Sequence, residues 1–282
     1  MADSGVISHI DDLGGSHSAN VAMLELAAAG SVTSGSVMVP PGWFAEIVSE
    51  PAFFELDLGI HLTVTSESAA FRWGPLTDAG RAGGLVDDDG YLWSTVTEAR
   101  ANAHPEAVDT ELRAQVDRAL ARGLDVTHLD HHMGVALAPE FVANTVQIAF
   151  DYRLPMLFPG NLAEYGELVN MGPADIEVLR DARSEALQLG VAVGDTFVMP
   201  LMHHDAADRP ATLREALSEL PYGITYLSLH CAAPGDIEAT HPKDHAWRLT
   251  EYEVFRDGAE ARRLMGPELL GMRPFRDALR SL

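Results

Sequence analysis

Ionisable side chains of the chain gather where short apolar runs end, and their types suit metal-assisted hydrolysis. The first group is Asp11-Asp12, directly after Val6–Ile10 and followed by Leu13-Gly14-Gly15. Adjacent carboxylates repel each other unless a cation or a proton separates them. One can bind a metal while its neighbour serves as a general base; a solvated turn with an Asp capping the next helix is the alternative. His61 lies in Gly59-Ile60-His61-Leu62-Thr63, either as a ligand or as a hydrogen-bonded core histidine. In His128-Leu129-Asp130-His131-His132, four of five side chains are ionisable, which packing does not explain. Side chains alternate along a strand, so Val126, His128, Asp130 and, if the strand persists, His132 share a face, with His131 on the other. His230 ends the apolar run Ile224–Leu229, and on its own is equally well a core histidine. His203-His204-Asp205 has the composition of a metal motif, but it precedes Ala-Ala-Asp-Arg-Pro and reads better as a solvated loop.

These groups are not independent. A carboxylate pair and histidines at the ends of different strands of one parallel barrel converge on one mouth. Imidazole and carboxylate without thiolate suit Zn²⁺, Mn²⁺, Co²⁺, Ni²⁺ or Fe²⁺. Such an ion polarises a carbonyl and acidifies water. A neighbouring carboxylate then accepts the proton and a histidine returns one to the leaving amine. These are the parts of a hydrolytic amidase. The chain has no dinucleotide fingerprint, no P-loop and no G-x-S-x-G elbow.

The elements that must position these groups alternate in type. Apolar runs at Val6–Ile10, Ser34–Val39, Asp57–Val64, Asp125–Asp130, Pro155–Phe158, Thr196–Met199 and Ile224–His230 read as strands. Helical patterns lie near His17–Ala29, Thr110–Arg122, Pro139–Tyr152, Pro173–Gln188, Ala211–Glu219 and Asp244–Asp257. This order predicts an α/β fold, a distorted (β/α) barrel of about seven parallel strands in a single domain spanning residues 1–282. An insertion at about 65–106 interrupts the rhythm and carries Trp73, Tyr91 and Trp93. It follows a strand on the side where parallel barrels build their sites. Trp73 and Trp93 are candidate sugar-stacking faces, unless they pin the insertion to the barrel. Asp130 is a third candidate substrate contact.

The 282 residues carry 19 basic and 42 acidic side chains, a formal charge of −23 that makes nucleic acid and anionic membrane surfaces poor partners. With a single cysteine, Cys231, the chain forms no intrachain disulfide and no thiolate metal cluster. No run approaches the roughly 18 apolar residues of a membrane span, and the first residues have no leader pattern, so the expectation is a cytoplasmic protein. A homodimer is compatible with the sequence.

Taken together, the motifs resemble the YdjC-like carbohydrate deacetylases, which include chitooligosaccharide and hopanoid-linked sugar deacetylases. The resemblance rests on His9-Ile10-Asp11-Asp12-Leu13-Gly14, Gly59-Ile60-His61-Leu62-Thr63, Thr127-His128-Leu129-Asp130-His131-His132 and Tyr226-Leu227-Ser228-Leu229-His230. Trp247-Arg248…Glu251-Tyr252 adds to it, and the motifs span nearly the whole chain in order. The resemblance implies a metal-dependent hydrolase that removes the N-acetyl group from an amino sugar, oligosaccharide or glycolipid head group. Other amide or ester hydrolysis on the same metal, or a non-catalytic sugar-binding relative, are the alternatives. It also implies one divalent ion (Zn, Mg, Ni, Co or Mn) held by Asp12, His61 and His132, with Asp11 as catalytic base and His230 as general acid. Two departures stand out. Many relatives have a second histidine two positions after the metal histidine, where this chain has Gly134. The usual small residue before it is His131, which keeps ligation by His131 open.

Overall fold

The computed structural model describes residues 4–200, 208–266 and 268–281. The His203-His204-Asp205 motif lies outside the described residues. Eight strands form one sheet: β1 (Gly5–Leu13), β2 (Ser34–Val37), β3 (Leu58–Leu62), β4 (Val126–His131), β5 (Met156–Leu157), β6 (Ala192–Val193), β7 (Thr196–Val198) and β8 (Ile224–Leu229). The order is β6-β5-β4-β3-β2-β1-β8-β7, and the paired strands are parallel. Helices connect them, as parallel pairing requires.

The strand count exceeds the expected seven for a local reason. The edge strands β6 and β7 are consecutive in the chain and separated only by Gly194 and Asp195, with Gly194 at φ 104°. Asp195 donates its N–H to Ile224 O and accepts from Gly160 N, so the break still bonds to both neighbours. β6 and β7 are halves of one bent stave, and the sheet curls into a distorted barrel. A two-residue strand such as β6 is too short to show a pattern in sequence.

Sequence chemistry fixes the helix ends. Ser16 accepts from Ala19 N at 3.1 Å to start the helix His17–Ala29, and Gly30, at φ 70°, stops it. Outside the barrel, Ile10, Met23 and Leu26 are among the apolar side chains buried between strands and helices. The barrel interior is polar instead, occupied by His9, Ser36, His61, His128, Asp130, Tyr226 and Ser228.

The segment after β3 is folded back on itself. Trp73 Nε1 donates to Thr65 O at 2.9 Å, and Trp93 Nε1 donates to Gly84 O at 2.7 Å. Leu76 N and Thr77 N donate to Glu111, which is buried on the helix Pro105–Ala121. A helix at Val96–Asn102 forms where the sequence pattern showed none. No helix among the described residues is long and apolar enough to cross a membrane.

Candidate metal centre and its cavity

Asp11 and Asp12 lie just before Leu13, the last residue of β1, and the strand's alternation should send them to opposite faces. The backbone breaks that rule. Asp12 sits at φ 63°, in the left-handed region that Asp tolerates better than most residues, and the β1–β2 register shifts between Ile10 and Leu13. Both carboxylates therefore reach one cavity of about 420 Å³, which His61, His132 and His230 also line.

Asp12 Oδ1 lies 3.3 Å from His61 Nε2 and 3.0 Å from His132 Nδ1. The second oxygen of Asp12 accepts from Arg248 Nη1 at 2.8 Å. Each histidine has a carboxylate behind it. Asp130 Oδ1 lies 2.8 Å from His61 Nδ1, and Glu67 Oε2 lies 2.8 Å from His132 Nε2. Such contacts fix the tautomer and aim the opposite nitrogen. His61 Nε2, His132 Nδ1 and Asp12 Oδ1 are thus the atoms left facing one another. The three buried side chains bring their donor atoms within 4.8 Å of each other. This donor set, two imidazoles and a carboxylate with no thiolate, fits one divalent cation with coordination positions left open.

Charge balance in the cluster is tight. Burial pushes Asp12 up, but Arg248, His132 and His61 outweigh it and hold its carboxyl well below the usual range. Burial lowers His132, yet Glu67 and Asp12 raise it to about 9. For His61, Asp130 and Asp12 overcome burial and lift it well above its ordinary value. Asp11 differs: burial dominates and raises it to about 6, against the opposing pull of His61 and His9. Ser228 Oγ donates to Asp11 Oδ2 at 2.6 Å, and His230 Nε2 lies 3.7 Å from the same oxygen. Burial drives His230 down to about 3, so it is neutral near pH 7. Its backbone N–H donates to Glu251 at 2.6 Å, which ties the end of β8 to the helix His245–Arg256.

The other sequence candidates divide. His132 follows the end of β4 and opens a tight turn with Met133 at φ 54° and Gly134 at φ 72°, so it reaches Asp12 through that turn. His131 makes no contact with Asp12; its Nδ1 lies 3.3 Å from Tyr165 OH. Asp130 is 2% exposed, and besides His61 it accepts from Ser36 Oγ at 2.8 Å and Tyr226 OH at 3.0 Å. Both its oxygens are engaged within the protein. Trp73 is 6% exposed, and neither it nor Trp93 lines the cavity; Trp247 does, edge-on to His230 with ring centres 5.2 Å apart.

Sequence reasoning did not single out Glu67, Ser36, His9 or Ser228. His9 and Ser228 share strand parity with Asp11 and His230, a signal that was present. Glu67 and Ser36 carried none, because only the folded barrel brings them to the histidines.

Fold and cluster together define a parallel α/β-barrel protein with a buried Asp–His–His site suited to a divalent cation. The chain belongs to the YdjC-like protein family, whose profile matches residues 5–265. It is 33% identical over 229 residues to a carbohydrate deacetylase of Thermus thermophilus, covering 81% of this chain and 78% of that protein. A carbohydrate deacetylase of Thermoanaerobacter pseudethanolicus is 22% identical over 253 residues, 89% of this chain and 90% of the relative. Among solved structures, an Enterococcus faecalis protein provisionally assigned to cellobiose-phosphate cleavage superposes with a TM-score of 0.77 at 19% identity. That match covers 97% of this chain and 99% of the other, and bears on the fold alone.

Proposed function

We propose that the protein is a metal-dependent carbohydrate N-deacetylase, hydrolysing the acetamide of an amino-sugar substrate to acetate and free amine. The observation that carries this reading is the convergence of Asp12, His61 and His132 beside a second carboxylate, Asp11, which accepts a hydrogen bond from Ser228. Relatives described as carbohydrate deacetylases support the choice of substrate class. A divalent cation held by Asp12, His61 and His132 would polarise the acetamide carbonyl and make water a better nucleophile.

Asp11 supplies the base. With its pKa raised to about 6 by burial, it is ionised near pH 7 yet takes up a proton more readily than an exposed carboxylate. Ser228 fixes one of its oxygens, and the other, Oδ1, lies 3.3 Å from His9 Nε2. His230 is neutral, so it donates only after it has gained a proton. Asp11, 3.7 Å away, is the group placed to pass on the one it took from water. Water thus adds its oxygen to the acyl carbon, its proton moves by Asp11 and His230 to the nitrogen, and the C–N bond breaks.

Acetate release from N-acetylglucosamine oligomers and N-acetylated glycolipid head groups tests the proposal. Chelation should abolish activity, and Zn²⁺, Co²⁺, Ni²⁺, Mn²⁺ or Mg²⁺ should restore it at about one ion per chain. Asp11→Asn should retain the metal and turn over at least about 10²-fold slower. No acetate from any N-acetyl sugar, with the metal site loaded, would remove the proposal.

A further inference from the structure

We propose that His9 is a positioning residue for the base: its Nε2–H, set between Asp11 and Asp130, holds the Asp11 carboxylate against the cavity. This rests on the deacetylase reading above. His9 and Asp11 stand two positions apart on β1, ahead of the left-handed backbone at Asp12, so their side chains share a face. Ser228 is the partner of His9 in the β1–β8 register. His9 and Ser228 therefore meet Asp11 from neighbouring positions, His9 at Oδ1 (3.3 Å) and Ser228 at Oδ2 (2.6 Å). Oδ1 accepts from no hydroxyl or backbone amide among the described residues, which leaves His9 as its contact.

The surroundings fix both the angle and the tautomer of this ring. His9 is fully buried, edge-on to His128 with ring centres 5.0 Å apart and tilted against Tyr226 at 4.7 Å, so it has little room to swing aside. Three oxygens surround its Nε2: Ser36 Oγ at 3.1 Å, Asp130 Oδ2 at 3.2 Å and Asp11 Oδ1 at 3.3 Å. Ser36 gives its own hydrogen to Asp130 Oδ2, so it faces His9 as an acceptor. With acceptors alone around it, Nε2 carries a proton. Asp130 is otherwise satisfied, since Ser36 and Tyr226 donate to Oδ2 and His61 holds Oδ1. Asp11 Oδ1 has no such supply. The His9 proton is thus worth most to Asp11, and it also stands between two buried carboxylates that would otherwise repel each other. Oδ1 keeps a second lone pair for the cavity, which Asp11 lines. A carboxylate gripped at both oxygens loses its freedom to rotate, which is what a base aimed at one water requires.

A double-variant cycle on the full-length, metal-loaded protein tests this, read as acetate release from N-acetylglucosamine oligomers. His9→Leu removes the N–H and should lower kcat about tenfold, the scale of one hydrogen bond to a charged group, with KM little changed. His9→Gln keeps an N–H near the Nε2 position and should recover part of that loss. Against Asp11→Asn, neither substitution at His9 should cost anything further, because the base they would misplace is gone. Metal content should stay at the wild-type level in every variant. Independent, multiplicative losses in the double variants would overturn the inference and leave the deacetylase reading standing, because His9 would then act otherwise than through Asp11. Loss of metal from His9→Leu would also overturn it, by tracing the effect through Asp130 to His61. So would an unchanged kcat in the folded single variants. If His9→Leu does not fold, the cycle runs on His9→Gln, whose smaller loss must likewise vanish against Asp11→Asn. If wild-type protein released no acetate from any sugar, the deacetylase reading would fall and this inference with it.

Discussion

Glu67 and Asp130 do the same work for different histidines, but they differ in how firmly they are held. Asp130 sits in the barrel with four partners, whereas Glu67 comes from the segment after β3, and its Oε1 has no partner among the described residues. Of the two proposed histidine ligands, His132 should therefore be the more easily disturbed. Glu67→Gln keeps an oxygen for Nε2–H but removes the charge, and should weaken metal affinity about tenfold, the lower end for such outer contacts. Competition with a chromophoric chelator near pH 9 is the measurement, because at lower pH Glu67 also favours the proton on His132. Unchanged affinity at that pH would deny Glu67 the positioning role. The contrast also shows what a sequence reveals at this scale. Asp11, Asp12, His61, His132 and His230 are legible because each is a polar residue breaking or ending an apolar run. Glu67 breaks no pattern, and its place beside His132 is a fact of folding across 65 positions of chain.

Among elements, strand parity is informative only while a strand remains regular. It put His131 and His132 on opposite faces, and in the structure His132 reaches Asp12 while His131 turns to Tyr165, although β4 ends before His132 and a turn completes the delivery. At β1 parity fails outright, since Asp12 depends on a left-handed backbone that the sequence Asp-Asp-Leu-Gly does not announce. The barrel was legible from the alternation of strands and helices, while β6 was lost because two residues carry no period. The buried polar interior was legible only in part, and Gly59 shows how closely it is packed. A Cβ at Gly59 would stand 2.5 Å from His128 Nε2. His128 is fully buried and packs edge-on against His9 at 5.0 Å, which leaves the ring little room to retreat. Gly59→Ala should cost about 1–3 kcal/mol of stability, the usual scale of overpacking. Adding His128→Ala should recover part of that loss in thermal or urea unfolding. A double variant less stable than Gly59→Ala by the full cost of His128→Ala alone would show that the two sites do not touch energetically.

For the whole molecule, the consequence of the proposed site is that metal binding and proton binding should compete. The cation is proposed to take His132 Nδ1 and His61 Nε2 as neutral donors. Both imidazoles are raised in the protein, His132 to about 9 and His61 well above its ordinary value, by Glu67, Asp12 and Asp130. After chelation both should hold protons at pH 7.5. These raised values stabilise the chelated fold below pH 6.5, the unfolded histidine range, and that contribution fades for His132 as pH rises through about 9. Metal stabilisation runs the other way, because each imidazole must give up a proton to bind. The rise in Tm on adding saturating metal should therefore grow between pH 6.5 and 9. Calorimetry of metal uptake at pH 7.5, in two buffers of different ionisation enthalpy, should show about two protons released per ion. Release of no protons, with a Tm shift independent of pH, would overturn the raised values of His61 and His132, and metal retained by both His61→Ala and His132→Ala would overturn their assignment as ligands.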